Sequence, residues 1–130
     1  MMGTMKDRVC HCGSQTNLNN CCKPYINGTQ KAPTAEALMR SRYSAYATHN
    51  PSYLVATTHT STRKQHNKKD ILDWSQSNQW IKLEVLQVTD NTVEFKVSYL
   101  DAQMQMQIHH ERSKFKMERG IWFYVDGEFY

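Results

Sequence analysis

The sequence predicts an α+β fold in which three N-terminal helices pack into a curved, four-stranded antiparallel sheet. Apolar residues recur at helical spacing between Ala35 and Ser77, and from Trp80 onward they alternate with polar residues, as in strands with one solvated face. All four cysteines lie within thirteen residues near the N-terminus. With 130 residues, the chain is long enough for one compact domain and a small appended module.

The four cysteines form two closely spaced pairs, Cys10 with Cys12 and Cys21 with Cys22. The loop between the pairs has only one strong core-forming residue, Leu18, so it cannot fold by burying apolar surface. Neither pair has the C-x-x-C spacing of a thioredoxin-like site, and adjacent cysteines form a disulfide only through a strained ring. Four thiolates suit the closed, tetrahedral shell of a structural zinc ion. We therefore expect zinc on these four cysteines.

The cysteine cluster and its linker form the first of two expected units. His11 is not needed as a ligand, because four sulfurs fill the shell, and we expect it to be exposed. An irregular connection with two prolines and a glycine follows, from Lys23 to Pro33. We assign residues 1–31 to a zinc knuckle with its linker and residues 32–130 to the α+β domain. Since most apolar residues lie in the domain, we expect zinc to order the knuckle and to leave the domain largely intact.

Charge and hydropathy limit the classes of partner. Of the net charge of +4, residues 1–31 contribute +3, yet they contain no run of Lys and Arg with interleaved aromatics. We therefore do not expect nucleic acid as a partner. No apolar run approaches the roughly 18 residues of a membrane span, and the N-terminus lacks the apolar segment of a signal peptide. We expect a cytoplasmic protein without membrane contact, in a compartment that keeps thiols reduced.

The first helix carries an arginine on its apolar face. The three expected helices run over residues 35–48, from Pro51 towards His59, and over residues 68–77. Thr34 is the expected N-cap of the first helix, and Arg42 falls among its core-facing residues, Leu38, Met39, Tyr43 and Tyr46. Either the guanidinium of Arg42 reaches solvent past its packed stem, or it meets a buried carboxylate.

The strands show one change of phase. Two strands flank a turn at Asp90-Asn91, and a third begins near Met104. In the third, the spacing between Ile108 and Phe115 is odd, so either a β-bulge intervenes or the strand passes into a different environment. The last strand covers residues 121–125 and ends in a turn at Asp126-Gly127.

If Phe115 points inward, so do His109, Glu111 and Ser113, because side chains alternate along a strand. A sheet that curls around the first helix would then leave a pocket in which Arg42 and Glu111 meet as an internal pair. The candidate pocket residues are Arg42, His59, His109, Glu111, Ser113 and Tyr124.

Two sets of residues carry a resemblance to known families. The segment CHCGS at positions 10–14, with Cys21-Cys22, resembles a SEC-C zinc motif. The remainder resembles the YchJ-like family through PTAEALMRSRYSAY at 33–46, HTSTR at 59–63, HERSKF at 110–115 and WFYVDG at 122–127. The resemblance implies a cone-shaped, cystatin-like fold similar to that of nuclear transport factor 2, and it implies no reaction.

The resemblance also implies a role for the knuckle. The related SEC-C tail of the preprotein translocase ATPase binds zinc and contacts a chaperone and the ribosome, which implies protein interaction. This chain differs from the motif at His11, where proline is usual, and at residues 17–20, where a basic stretch is usual. The resemblance therefore carries the metal ligands to this chain but not the partner. Longer family members have a second, C-terminal SEC-C motif, which we expect this chain to lack.

Two functional hypotheses follow. The first, which we favour, is a non-enzymatic zinc-binding interaction or adaptor protein with the knuckle as a docking surface for a protein. No nucleophile–base pair, glycine-rich phosphate loop or open catalytic metal shell can be named. The alternative is a small-molecule-binding protein or an enzyme that uses the pocket, with its histidines, Glu111 and Tyr124 as acid–base groups.

Overall fold

Helices precede strands in residues 9–130, the part of the chain that the computed structural model describes. The expectations about residues 1–8, namely the missing signal peptide and part of the basic charge, lie outside these residues. The helices are α1 (Lys23–Ile26), α2 (Ala35–Ala47), α3 (Pro51–Ala56), α4 (Thr60–Arg63) and α5 (Lys68–Ser77), and a 3-10 turn covers Leu18–Asn20. The strands are β1 (Gln79–Val88), β2 (Thr92–Leu100), β3 (Met106–Glu118) and β4 (Ile121–Phe129).

Helix α2 lies at the centre of the molecule. Its N-cap is Thr34, as predicted, whose Oγ1 accepts a hydrogen bond from the backbone N–H of Ala37 at 3.0 Å. Most of the helix is buried, on more than one face. It contacts the N-terminal segment on one side and the sheet on another, so it belongs to both candidate sites.

The second predicted helix ends earlier than expected, and a short helix, α4, follows it. Helix α3 ends at Ala56, where the hydroxyls of Thr57 and Thr58 bond carbonyls of the preceding turn. The chain then runs beside β4: the N–H of Tyr124 donates to the Thr57 carbonyl at 2.8 Å, and the N–H of His59 donates to the Tyr124 carbonyl at 2.7 Å. Residues 57–59 pair with the outer strand β4 and do not continue the helix. This pairing covers part of an otherwise open sheet edge.

The sheet is an antiparallel meander in the order β1-β2-β3-β4. The register of β2 with β3 is continuous from Thr92 opposite Lys114 to Leu100 opposite Met106. The pairing of β3 with β4 shifts by one residue between Lys114 and Phe115, and the extra residue is on β4, so the side chains of β3 keep alternating. Met106 and Ile108 lie on the outer face, where they are 55% and 57% exposed. The phase change in β3 is therefore a change of environment along the strand.

Strand β4 is longer than predicted. It continues through Asp126 and Gly127 to Phe129, and Gly127 lies opposite Ser113 of β3. A Cβ atom at Gly127 would lie 2.1 Å from Oε2 of Glu111. The glycine therefore makes room for a buried carboxylate. The turn predicted at Asp126-Gly127 is wrong, because the strand continues through both residues.

Helices α2 and α5 and the inner face of the sheet enclose a cavity of about 230 Å³. Together with the preceding elements this forms the predicted α+β cone. Among the described helices, none has the length and apolarity that a bilayer span requires.

Candidate functional site

The four cysteine sulfurs converge at the N-terminal end of the described chain. All four Sγ atoms lie within 4.8 Å of one another, and those of Cys12 and Cys21 are 3.6 Å apart. Four sulfurs around a tetrahedral zinc ion would be separated by about 3.8 Å, given Zn–S bonds of about 2.3 Å. Gly13, with φ of 89°, turns the chain between the first pair and the loop. The cluster thus has the size and donor set of a four-coordinate metal site.

The cluster packs on the main domain. Cys10, Cys12 and Cys22 are at most 3% exposed and belong to the same apolar core as the buried residues of α2. The thiol of Cys10 lies 3.4 Å from the Ser44 hydroxyl, and Nη1 of Arg40 donates to the Cys12 carbonyl at 2.7 Å. Anchoring of this kind joins the cysteine loop to helix α2. The division into residues 1–31 and 32–130 stays a prediction, with a well-packed boundary.

The thiols influence one another's protonation. Hydrogen bonds from Cys10 and Cys22 lower the pKa of Cys12 well below the usual thiol value. Burial raises the pKa of Cys21 to about 11. Four thiolates at this separation would repel one another, so a cation at their centre is needed for all of them to ionise. His11 is exposed and outside the sulfur cluster, so the donors present are four thiols.

The second candidate site is the cavity of the cone. Its wall is mainly aromatic and aliphatic, and its polar groups come from α2, from the loop before α5 and from strands β3 and β4. The lining residues include Arg42, Tyr46, His66, Trp74, Trp80, Val97, His109, Glu111, Ser113, Tyr124 and Phe129. Apolar walls with a few convergent polar groups are typical of small-molecule sites.

Arg42 projects from α2 into this cavity and is only 8% exposed. Its Nη1 donates to the Leu54 carbonyl at 2.9 Å and to Oγ1 of Thr57 at 2.7 Å. The guanidinium carbon lies 4.4 Å from the centre of the Tyr124 ring, in cation–π geometry. The interpretation in which the charged head reaches solvent is thereby excluded.

Glu111 on β3 is 6% exposed and accepts hydrogen bonds on both oxygens. Nε2 of His109 lies 2.7 Å from Oε1, and Oε2 accepts from the Ser113 hydroxyl at 2.7 Å and the Tyr124 hydroxyl at 3.1 Å. Burial, the largest single influence, raises the pKa of the Glu111 carboxyl. The hydrogen bonds, first of all the one from His109, outweigh burial and hold this pKa below its usual value.

The expected direct pair of Arg42 with Glu111 is wrong. Both side chains are buried at the same cavity, but none of the ion pairs among residues 9–130 joins them. Tyr124 bridges them, since its ring faces the guanidinium and its hydroxyl donates to the carboxylate. Each charged group therefore has its own set of hydrogen-bond partners.

His59 does not line the cavity, in contrast to the other five pocket candidates. Its ring packs against Phe123, whose side chain points away from the neighbouring Tyr124. Nδ1 of His59 accepts the N–H of Ser61 at 3.1 Å and so caps α4, while Nε2 lies 3.1 Å from Oε1 of Glu118. His59 therefore attaches α4 to the sheet, because it caps this helix and also contacts Glu118 and Phe123. Phe123 and Tyr124 point to opposite faces of β4, and of the two only Tyr124 lines the cavity.

Two cavity residues were missed from the sequence. His66 lies in a polar loop with no periodicity, but its ring lies edge-on to Tyr124 at a centroid distance of 6.1 Å. Burial, followed by the charge of Arg42, lowers the pKa of His66. Phe129 was not a candidate because the last strand was predicted to end at residue 125. Gly127 was the available signal that this strand continues, since a glycine inside a strand pattern often marks a close approach.

Comparison with known proteins agrees with this architecture. The family model described as "YchJ, middle NTF2-like domain" matches residues 34–127. A UPF0225 protein of Serratia proteamaculans is 37% identical over 126 residues, which cover 92% of this chain and 82% of the relative. A UPF0225 protein of Streptomyces coelicolor is 40% identical over 127 residues, covering 92% and 94% of the two chains.

Two solved structures have the same fold. A SEC-C motif containing protein from Rhodopseudomonas palustris, studied in solution, matches with a TM-score of 0.84 and 36% identity, over 92% of this chain and 96% of that one. The crystal structure of a SEC-C motif containing protein from Psychrobacter arcticus matches with a TM-score of 0.78 and 26% identity, over 95% and 83%. By sequence, fold and cysteine cluster, this chain belongs to the YchJ-like family of SEC-C motif proteins.

Proposed function

We propose that this protein binds a small molecule in the cavity of its cone, and that a structural zinc ion holds the N-terminal segment against the helix that forms the cavity wall. The observation that carries the proposal is the arrangement of two buried charges, Arg42 and Glu111, at one aromatic-lined cavity without a direct ion pair. A purely structural pair would be expected to neutralise itself in direct contact. Arg42, which forms no ion pair within residues 9–130, is available to orient a ligand.

Zinc is the metal that the donor set favours. Four thiolates in a small, tetrahedral arrangement suit zinc, and a closed shell of four protein ligands leaves no position for substrate. Metal analysis of the purified protein should give one zinc per chain. Cys21→Ser should lower this content, while His11→Ala, a substitution next to two ligands, should leave it unchanged. Equal zinc content in both variants would contradict the assignment.

The packing of the cysteine loop favours a structural role over a projecting docking module. Three of its four thiols are inside the core, so the metal site is continuous with the cone. A metal in this position would fix α2, and α2 supplies Arg42 and Tyr46 to the cavity. This packing favours the cavity as the functional surface, with zinc in a supporting role.

The three tryptophans provide a test of ligand binding. Trp74 and Trp80 line the cavity, whereas Trp122 lies in a separate groove near Tyr25 and Phe123. In a screen of small organic molecules by nuclear magnetic resonance, a ligand should shift the indole signals of Trp74 and Trp80 and leave that of Trp122 in place. A screen in which no compound moves the first two signals at millimolar concentration would reject the proposal.

A pair of variants on one strand makes this test specific to the cavity. Val97 points into the cavity and Lys96 points to the outer face of the same strand. Val97→Phe should fill the cavity and abolish binding, while Lys96→Phe adds the same ring outside it and should bind normally. Equal binding by both variants would place the ligand elsewhere.

Protein docking by the cysteine loop is a second candidate, favoured by the exposure of most of the residues between the two cysteine pairs. Cysteine variants cannot test it cleanly, because their thiols are part of the core. Exposed positions such as His11 and Gln15 are better targets. If docking occurs here, purified candidate partners should bind the wild-type protein but not a folded, zinc-loaded His11→Glu, Gln15→Glu variant.

A further inference from the structure

The guanidinium of Arg42 has two donor nitrogens that the described chain does not use. Its hydrogen bonds, to Leu54, Thr57 and Thr58, all start from Nη1. Nε and Nη2 donate to no residue in 9–130. No fully buried side-chain nitrogen or oxygen of these residues lacks a partner, so both nitrogens keep accessible surface. For a side chain that is 8% exposed and lines the cavity, this surface faces the cavity.

The negative charge in the cavity, that of Glu111, already has its hydrogen-bond partners. Glu111 accepts three hydrogen bonds, and the Tyr124 hydroxyl is engaged in one of them. Within residues 9–130, the positive charge of Arg42 has only carbonyl and hydroxyl partners and the face of Tyr124. A buried guanidinium without an anionic partner is costly, and it cannot relieve that cost by losing its proton. The unmet requirement of the cavity is therefore an anion beside Arg42.

The geometry of the unused edge selects the kind of anion. Nε and Nη2 lie on the same edge of the guanidinium and present parallel N–H bonds, which match the two oxygens of a carboxylate. Another part of the cavity wall is formed by the Tyr46, Trp74 and Trp80 rings, which pack against one another at centroid distances of 5.0 to 5.7 Å. This wall offers apolar surface to the remainder of a ligand.

We propose that the cavity binds a small carboxylic acid with a compact apolar body, its carboxylate on Nε and Nη2 of Arg42 and its body against Tyr46, Trp74 and Trp80. This inference rests on the proposed function and specifies its ligand class. The volume of about 230 Å³ limits the body to roughly one or two rings.

Three probes with the same cyclohexyl body test the charge preference: cyclohexanecarboxylate, cyclohexanecarboxamide and cyclohexylamine. They do not absorb where indoles do, so the fluorescence of Trp74 and Trp80 reports binding directly. At neutral pH the acid should bind about tenfold more tightly than the amide, since a charge-assisted hydrogen bond is roughly twice as strong as a neutral one. The amine should bind most weakly.

Two arginine variants locate the preference. Arg42→Gln should bind the acid and the amide equally, because the amide side chain carries no charge. Arg63→Gln removes the same charge from a residue that caps the Thr58 and Ala56 carbonyls outside the cavity, and it should keep the tenfold preference. If Arg42→Gln does not fold, the ratio of acid to amide affinity measured on the wild-type protein tests the proposal by itself.

The outcomes separate this inference from the proposed function. Equal affinity for acid and amide, or tighter binding of the amine, overturns the carboxylate assignment while ligand binding in the cavity stands. No binding of any of the three probes also overturns it, and the broader screen on the indole signals then decides about ligand binding. A preference for the acid that persists in folded Arg42→Gln overturns the role of Arg42.

Discussion

At the scale of single residues, Gly127 and Glu111 depend on each other. A methyl group at Gly127 would overlap the carboxylate, at 2.1 Å from Oε2. We expect Gly127→Ala to lower the free energy of unfolding by about 1–3 kcal/mol, as overpacking usually does. In a Glu111→Ala background the same methyl group has room, so its cost should fall by at least about 1 kcal/mol. Denaturant titrations of the four proteins of this cycle measure the difference, and equal costs in both backgrounds would contradict the steric explanation.

The carboxyl of Glu111 also makes stability depend on pH. Its pKa in the folded protein is lowered, so the carboxylate stabilises the fold above the ordinary carboxyl pKa, and this contribution is lost as the pH falls through the lower, folded value. Glu111→Gln should therefore be less stable than the wild type at neutral pH, and the difference should shrink in acid. Unfolding curves across this range test the sign, which would be refuted by a difference that grows as the pH falls.

At the scale of elements, helix α2 connects the metal site with the domain. The cysteine loop bonds Ser44 and Arg40 of this helix and shares its core, so removing the metal should loosen α2 (Ala35–Ala47) as well as the loop. This differs from the expectation drawn from the sequence, in which the domain was independent of zinc. Hydrogen exchange after chelation should show lost protection in α2 and smaller changes in α5 (Lys68–Ser77). Unchanged protection in α2 would restore the earlier expectation.

At the scale of the whole molecule, the sequence predicts what local patterns encode. Thr34 caps its helix as expected, and alternation correctly places Glu111 and Ser113 on the inner face of the sheet, because a strand side chain has only two faces to choose from. Non-local partners are not encoded in this way. The face of β3 was correct, yet the partner of Arg42 was not, since a guanidinium can be satisfied equally by carbonyls, hydroxyls and a ring.

The two candidate sites also differ in how much of each could be predicted from the sequence. The cysteine cluster could be found from sequence because four cysteines in thirteen residues have few uses other than binding a metal. The cavity could be found only in part. His66 comes from a polar loop with no periodicity to report its direction, and His59 leaves the helix pattern to pair with β4. How deeply the cysteines pack could not be predicted, because thiols next to turn residues have no characteristic burial pattern.

The position of helix α2, with the cysteine loop on one side and Arg42 on the other, would make a metal on the cysteines and a ligand in the cavity reciprocal effectors. If zinc orders the helix and the ligand needs the ordered helix, each must tighten the other by the same factor. Metal-free protein should then bind the acid probe more weakly, and a saturating ligand should slow the transfer of zinc to a chelator. A protein of this design would report the zinc supply of its surroundings through the occupancy of a cavity that never contacts the ion.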